Sequence, residues 1–409
     1  MTKTVPVLVD PLAADSYRLR LLVVVLAITQ TVGYGVLYYA FSAMLGPMSR
    51  DLGVTTATVA GAMTTALLVA AGLSVPVGRW LDAHGGHGLM TAGSILAVIA
   101  VLLWSQAHNA VQLYGAFVAI GVASAMVLYP AAFAVVVAVA APAKRTSAIL
   151  GITLMAGFAS SIFIPLTGRL TADRGWRATV LILGGMLAVT TVPLHAIAVR
   201  RTARRPGPTA VHRAWPRRVL RDPGFWFLAG GFVLHHAALG VIAVHLVLYL
   251  TVLGHPPAVA STLAGLLGVL SVTGRVASTI SVRWLPMATI TAVVLSVQGV
   301  AIAVLPLIGT HIVGVVVCLV LFGLGFGVSA IATPAIVLDR YGAKGYATIA
   351  GILSTPVAIA DGVAPLAGAI LASSAGYRSL ILSVGGVSLA AATSLTLSQR
   401  IQPPGTPPG

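Results

Sequence analysis

The chain has 409 residues, 58% of them hydrophobic and only 8% charged, and its eight acidic residues are all aspartates. A soluble chain carries about a quarter of its residues as charges, so a water-facing globule, a coiled coil and a disordered chain are all excluded; a polytopic membrane protein remains. The net charge of +16 matches the Lys and Arg excess of cytoplasmic loops rather than a nucleic-acid surface, because no basic stretch comes with a soluble fold to present it.

The polar residues 1–20 lead into an apolar segment too long for a signal-peptide core, with no small-residue cleavage site after it. It reads as a retained first helix. Apolar runs broken by short polar or Gly/Pro turns then predict spans over 19–45, 57–80, 89–107, 111–140, 146–171 and 178–199. A long polar stretch, 200–222, follows with eight arginines and Pro206, Pro208 and Pro216. Six more spans are predicted over 224–252, 258–282, 287–308, 312–338, 346–373 and 378–397. The expected fold class is therefore an all-α integral membrane protein of twelve transmembrane helices. Its parts are an N-terminal six-helix half (1–199), a basic cytoplasmic linker (200–222), a C-terminal half (223–398) and a disordered Pro/Gly-rich tail (399–409).

Orientation follows from the basic residues. With the N-terminus inside, eighteen Lys or Arg fall on the cytoplasmic side and five outside, leaving Arg275 within a span. Both termini are expected in the cytoplasm.

The halves repeat each other. Gly151-Ile152, Pro165-Leu166 and Gly168 recur 200 residues later as Gly351-Ile352, Pro365-Leu366 and Gly368, and Gly175-Trp176-Arg177 is echoed by Gly376-Tyr377-Arg378. Leu52-Gly53 recurs as Leu253-Gly254, and Gly121 with Pro130 as Gly325 with Pro334. Parallel repeats about an axis along the membrane normal are a transporter architecture.

At the end of the second span the chain reads Gly78-Arg79-Trp80-Leu81-Asp82-Ala83-His84-Gly85-Gly86-His87. This resembles the loop 2–3 signature of the major facilitator superfamily, Gly-x-Leu-x-Asp-Arg-x-Gly-Arg-Arg. Gly78, Asp82 and Gly85 match at the proper spacing, while Ala83, Gly86 and His87 stand at its basic positions. The resemblance implies a cytoplasmic gate in which the carboxylate meets a helix N-terminus. His245-Leu246, Gly254, Ala260, Gly265, Gly268 and Gly274-Arg275 are similar to the monocarboxylate and oxalate-formate branches, as is Gly33-Tyr34-Gly35. That likeness implies an eighth-helix arginine that meets a substrate carboxylate. Ser271 stands where those carriers often have Asp, and Tyr38 near their first-helix lysine.

On its own physics, a charge inside a span costs about 2.5–3.5 kcal/mol on insertion scales and so faces a cavity or a partner. Arg275 is eight residues from Arg283, about 12 Å along the helix, beyond comfortable snorkelling reach. Asp361 is the only carboxylate deep in a span, and its repeat counterpart is Ser161. It is the candidate for proton coupling, with an ion pair to Arg275 as the alternative. Gln30, Tyr34, Tyr38 and Tyr129, from spans one and four, and His245 from span seven are expected to line a substrate cavity, with Tyr39 beside them. His235 and His236 share span seven, but metal binding needs further convergent ligands and only Cys318 and the lone deep acid are available. No metal site, cofactor, nucleic-acid partner or obligate protein partner is expected.

The function these residues imply is secondary active transport of a small, monocarboxylate-like organic anion with protons, in a bacterial inner membrane. The alternative is a proton-antiport exporter of drugs or metabolites. Against it, the antiporter Gly-Pro-x-x-Gly-Gly pattern keeps Pro165 and Gly168 but has Ile164 and Arg169 at the flanking glycines. An integral-membrane enzyme would need a nucleophile, base and metal-ligand cluster that the sequence lacks.

Overall fold

A computed structural model describes residues 11–199 and 215–402. Among these residues every regular element is helical. Helix α1 runs through Pro11–Tyr34, a single π turn Gly35–Tyr39 and Ala40–Leu52. Then come α2 (Thr56–His84), α3 (Gly86–Ser105) and α4, which is broken at Leu128 into Ala110–Val127 and Tyr129–Val139. Helix α5 starts as Pro142–Ala156, is interrupted at 157–158 and continues to residue 174, and α6 spans 176–198. The second half holds α7 (Pro223–Val252), α8 (Pro257–Ser281) and α9 (Met287–Ile308). Helix α10 bends by 42° between Ile312–Phe326 and Ser329–Tyr341, and α11 (346–375) and α12 (377–400) complete the chain. Among the described residues, nine helical runs are long and apolar enough to cross a membrane, ten with the bent pair, and two of these runs fold back on themselves. The twelve spans read from the sequence are consistent with this arrangement.

The two fold-backs show the duplication in the backbone. Gly175 has φ 76°, ψ 163° and Gly376 has φ 84°, ψ 162°. A residue with a Cβ is strained there and glycine is not, so the repeated Gly-aromatic-Arg landmark marks the same hairpin in both halves. Two boundaries differ from expectation. The expected tail begins inside α12, which continues to Arg400 because Ser398 and Gln399 still bond back to Leu395. A six-residue helix, Trp215–Leu220, lies within the expected linker; residues 200–214 and 403–409 are outside the described part.

Apolar packing divides into three clusters. One joins both halves at the end that carries the described chain termini, from Leu22 and Leu26 through Val135 and Ile149 to Phe225, Ile349 and Leu395. Toward the other end there are two separate cores. The first half contributes Met44, Trp104, Phe117 and Trp176, and the second contributes Ile242, Tyr249, Phe322 and Ile381. The halves thus share a core at one end and part at the other, leaving a space between them that opens away from the termini.

Buried polar groups fix the helices within each half. His195 of α6 meets Ser94 of α3 at 2.6 Å and Thr29 of α1 at 3.0 Å. In the second half Asp222 caps α7 at Gly224 and accepts from Arg340 at 2.9 Å and the Tyr341 hydroxyl at 2.6 Å. Arg340 also donates to the carbonyls of Ser398 and Ile401. One guanidinium therefore ties the start of α7 to the ends of α10 and α12.

Candidate functional site

The closed end is built on α2 and α11. Helix α11 begins at Tyr346 behind Gly345, which has no side chain with which to cap it. The first N–H groups of a helix need an outside acceptor, and Asp82 of the other half supplies it. Its Oδ1 accepts from Ala347 N at 3.2 Å, and its Oδ2 from Thr348 N at 2.8 Å and Thr348 Oγ1 at 2.6 Å. This is an N-cap made in trans, with the helix dipole favouring the negative charge. Gly78 allows the approach, since a Cβ there would meet the Ala347 carbonyl. One turn deeper, Gly351 does the same against Ser74, and Thr355 Oγ1 donates to the Ala71 carbonyl at 3.0 Å. Gly85, at φ 75°, closes α2 through a bond to Leu81 O and turns the chain into α3.

Arg275 makes the matching contact between α8 and α5. The Thr153 carbonyl, which already accepts from Gly157 N at 2.9 Å, also accepts from Arg275 Nη1 at 2.6 Å, and the missing side chain of Gly157 leaves room for the guanidinium. Nη2 lies 3.3 Å from Ser271 Oγ, and the buried Nε has no partner. Gly327, at the break of α10, leaves room for this edge of the guanidinium. Tyr39 and Tyr129 lie within its electrostatic range. The arginine is thus held between α5 and α8, with Tyr39 and Tyr129 beside it.

Around it stand the aromatic residues of α1 and α4. The π turn, a local widening that recurs at functional sites, carries Tyr38 and Tyr39, whose rings cross edge-on at 5.0 Å. It begins at Gly35, where a Cβ would run into the Phe163 ring. Tyr34 packs on Tyr129 at 4.5 Å, and Tyr129 stacks on Phe133. Pro130 lacks an N–H, α4 breaks at Leu128, and the freed Val127 carbonyl accepts from Gln30 Nε2 at 2.7 Å. Gln30 Oε1 is buried without a partner.

Asp361 does not pair with Arg275. Its carboxylate faces His236 of α7, whose Nδ1 is 3.1 Å from both oxygens. The pair is partly open, at 42% exposure for the acid and 23% for the histidine, and Tyr38 lies within electrostatic range from the other half. His245 departs from the expected cavity position: it is 6% exposed and its Nε2 is 3.0 Å from the Pro365 carbonyl, against Gly368. An apolar cavity of about 310 Å³ lies between α7, α11 and α12, lined by Ala237, Val241, Ala360, Ala367 and Leu371 among others. No charged side chain lines it, so it is not where the charge of an ionic ligand rests.

The structure thus gathers Tyr34, Tyr38, Tyr39, Tyr129 and Arg275 between the halves, buries Gln30 entirely behind the α4 break, puts Asp361 near Tyr38, and sets Gly78, Asp82 and Gly85 at the closed end. Sequence reasoning gives no role to His236 or Thr153. His236 is visible as a polar residue in an apolar span, but its pairing depends on the packing of α7 on α11; a backbone carbonyl leaves no sequence trace. Among the described residues no group of three or more His, Cys, Asp or Glu side chains converges as a metal site would need.

A family model described as Major Facilitator Superfamily matches residues 26–364. Among solved structures, one of the E. coli fucose:proton symporter is 13% identical, with TM-score 0.75, covering 94% of this chain and 99% of that one. A bacterial homologue of the iron transporter ferroportin, in an outward-facing state, is 16% identical, with TM-score 0.75 over 93% and 99% of the two chains. The human organic anion transporter MFSD10 is 15% identical, with TM-score 0.63 over 92% and 97%. A search of curated protein sequences finds no match.

Proposed function

From the premise that the chain belongs to the Major Facilitator Superfamily and is a multi-pass secondary transporter, we propose that it moves a small, monocarboxylate-like organic anion together with protons by alternating access. The observation that carries this reading is Arg275, a cation held inside the membrane between the halves beside Tyr39 and Tyr129, whose planar fork suits a carboxylate. In this reading Arg275 holds the anion, with Tyr34, Tyr38 and Tyr129 around the rest of the substrate and Gln30 buried behind them at the α4 break. Asp361 couples transport to protons, and Gly78, Asp82 and Gly85 form the gate. His245 holds α11 in place through Pro365.

The excess of basic residues at the closed end supports a cytoplasmic position for it and an outward-facing cavity, and the short loops and scarce lysines favour a bacterial inner membrane. Substrate carries its charge to Arg275, the outer ends close, and the Asp82 cap and the Arg275–Thr153 bond release on the inner side. Proteoliposomes with an imposed acid-outside pH gradient test the reading by uptake of labelled short-chain acids. Accumulation that collapses with a protonophore is expected. Export of a lipophilic cation against that gradient, with no acid accumulated, would instead support the drug or metabolite antiporter.

A further inference from the structure

We propose that His236 is the residue that takes up the coupled proton, with Asp361 as its fixed counter-charge. The inference rests on the proton-coupled reading above and deepens it. His236 Nδ1 faces both oxygens of Asp361 at 3.1 Å, so in the unloaded pair the imidazole is neutral and donates its Nδ1–H to the carboxylate. That leaves Nε2 as the free base. A proton from the outer solution binds there, no other bond breaks, and the pair passes from charge −1 to 0. Histidine is the side chain whose ordinary titration spans physiological pH.

The groups around the pair leave it this role. From α1 the facing group is Tyr38, and on α7 itself it is His235, buried and edge-on to His236 at 5.6 Å. Helix α8 carries Arg275, turned to α5, and the titratable residues of α12 (Tyr377, Arg378 and Arg400) stand at its ends. Counting Arg275 as +1, the cavity is neutral when empty, +1 with the proton, and neutral again once a monovalent anion joins. A half-loaded cavity closes around a net charge, and enclosing an uncompensated ion costs several kcal/mol. Proton and monoanion are thereby forced to cross together.

His236→Gln keeps a donor toward Asp361 but cannot titrate. In proteoliposomes it is expected to lose the rise of uptake with acidification between pH 5 and 8 and to lose proton-driven accumulation. Substrate exchange falls with them, because the loaded cavity would close at charge −1. His236→Gln with Asp361→Asn removes that charge and restores exchange without accumulation. A structural role would be rescued by Gln at every pH, and an unchanged pH profile overturns the inference. If the wild type itself shows no proton-driven accumulation, the coupling reading fails and not the assignment of His236 alone. The second measurement uses unaltered protein, so a misfolded variant leaves no gap: imidazole NMR on isotope-labelled wild type, with His236 titrating and its midpoint moving when a transported acid is added. A His236 resonance fixed in one protonation state from pH 5 to 8, with and without the acid, overturns the proposal.

Discussion

Asp82→Asn perturbs the closed end at one defined point. The carboxylate accepts three hydrogen bonds from Ala347 and Thr348 at the start of α11. Asparagine keeps one oxygen, which can serve the Thr348 pair, but turns an NH2 group toward the Ala347 N–H and removes the charge that the helix dipole favours. One hydrogen bond to a charged group contributes about 1.5–3 kcal/mol, and the charge–dipole interaction about 0.3–1 kcal/mol. When the gate is open Asp82 is hydrated, so the loss falls on the closed state alone. With about 2–3 kcal/mol lost, the equilibrium moves roughly 30- to 150-fold toward inward opening, at 1.4 kcal/mol per tenfold. The assay is thiol labelling of Ser74→Cys in a Cys318→Ala background, from the cytoplasmic face of inverted vesicles. Ser74 lies against Gly351 in the α2–α11 contact, so labelling should accelerate by that order while substrate affinity changes little. Thr348→Ala, which removes only the hydroxyl bond, should give a smaller acceleration. Labelling and turnover both unchanged in Asp82→Asn would refute the idea that this cap sets the gate.

Three other outcomes are expected. Arg275→Lys keeps the charge but loses the fork that reaches Ser271 and the Thr153 carbonyl together; anion binding by calorimetry should weaken about 10- to 100-fold, roughly 1.4–2.8 kcal/mol, with normal folded yield. Asp361→Asn should abolish accumulation driven by a pH gradient yet preserve counterflow, since exchange need not return an empty carrier; accumulation at the wild-type level would remove Asp361 from the coupling. Arg340→Gln strands the buried Asp222 carboxylate, a loss of about 3–5 kcal/mol that a thermal-shift assay should register as a clearly lower Tm, while Arg283→Gln, at an exposed cation–π contact with Trp284, should leave Tm nearly unchanged.

What the sequence could reveal here depended on whether the cause was local. Span lengths and the Gly175 and Gly376 hairpins were legible, because apolar length and backbone freedom belong to the residues themselves. The Gly78–Asp82–Gly85 spacing marked the gate, yet its receptor, Ala347 and Thr348, lies some 265 positions away and depends on how two six-helix bundles meet. The π turn in α1 was not legible, since it begins at Gly35, where the contact is with the Phe163 ring of another helix. The charges carry the same lesson further. Counting buried charges offered Arg275 as the natural partner of Asp361, but residue depth already set them about 10 Å apart along the membrane normal. Each charge is engaged at its own depth: Arg275 by the Thr153 carbonyl beside Gly157, where a side chain would crowd it, and Asp361 by the histidine level with it on α7. A direct Arg275–Asp361 bridge would occupy each group with the other. In the proposed reading, holding them apart leaves a cation for the substrate and a separate site for the proton, and coupling between the two follows from charge balance without direct contact.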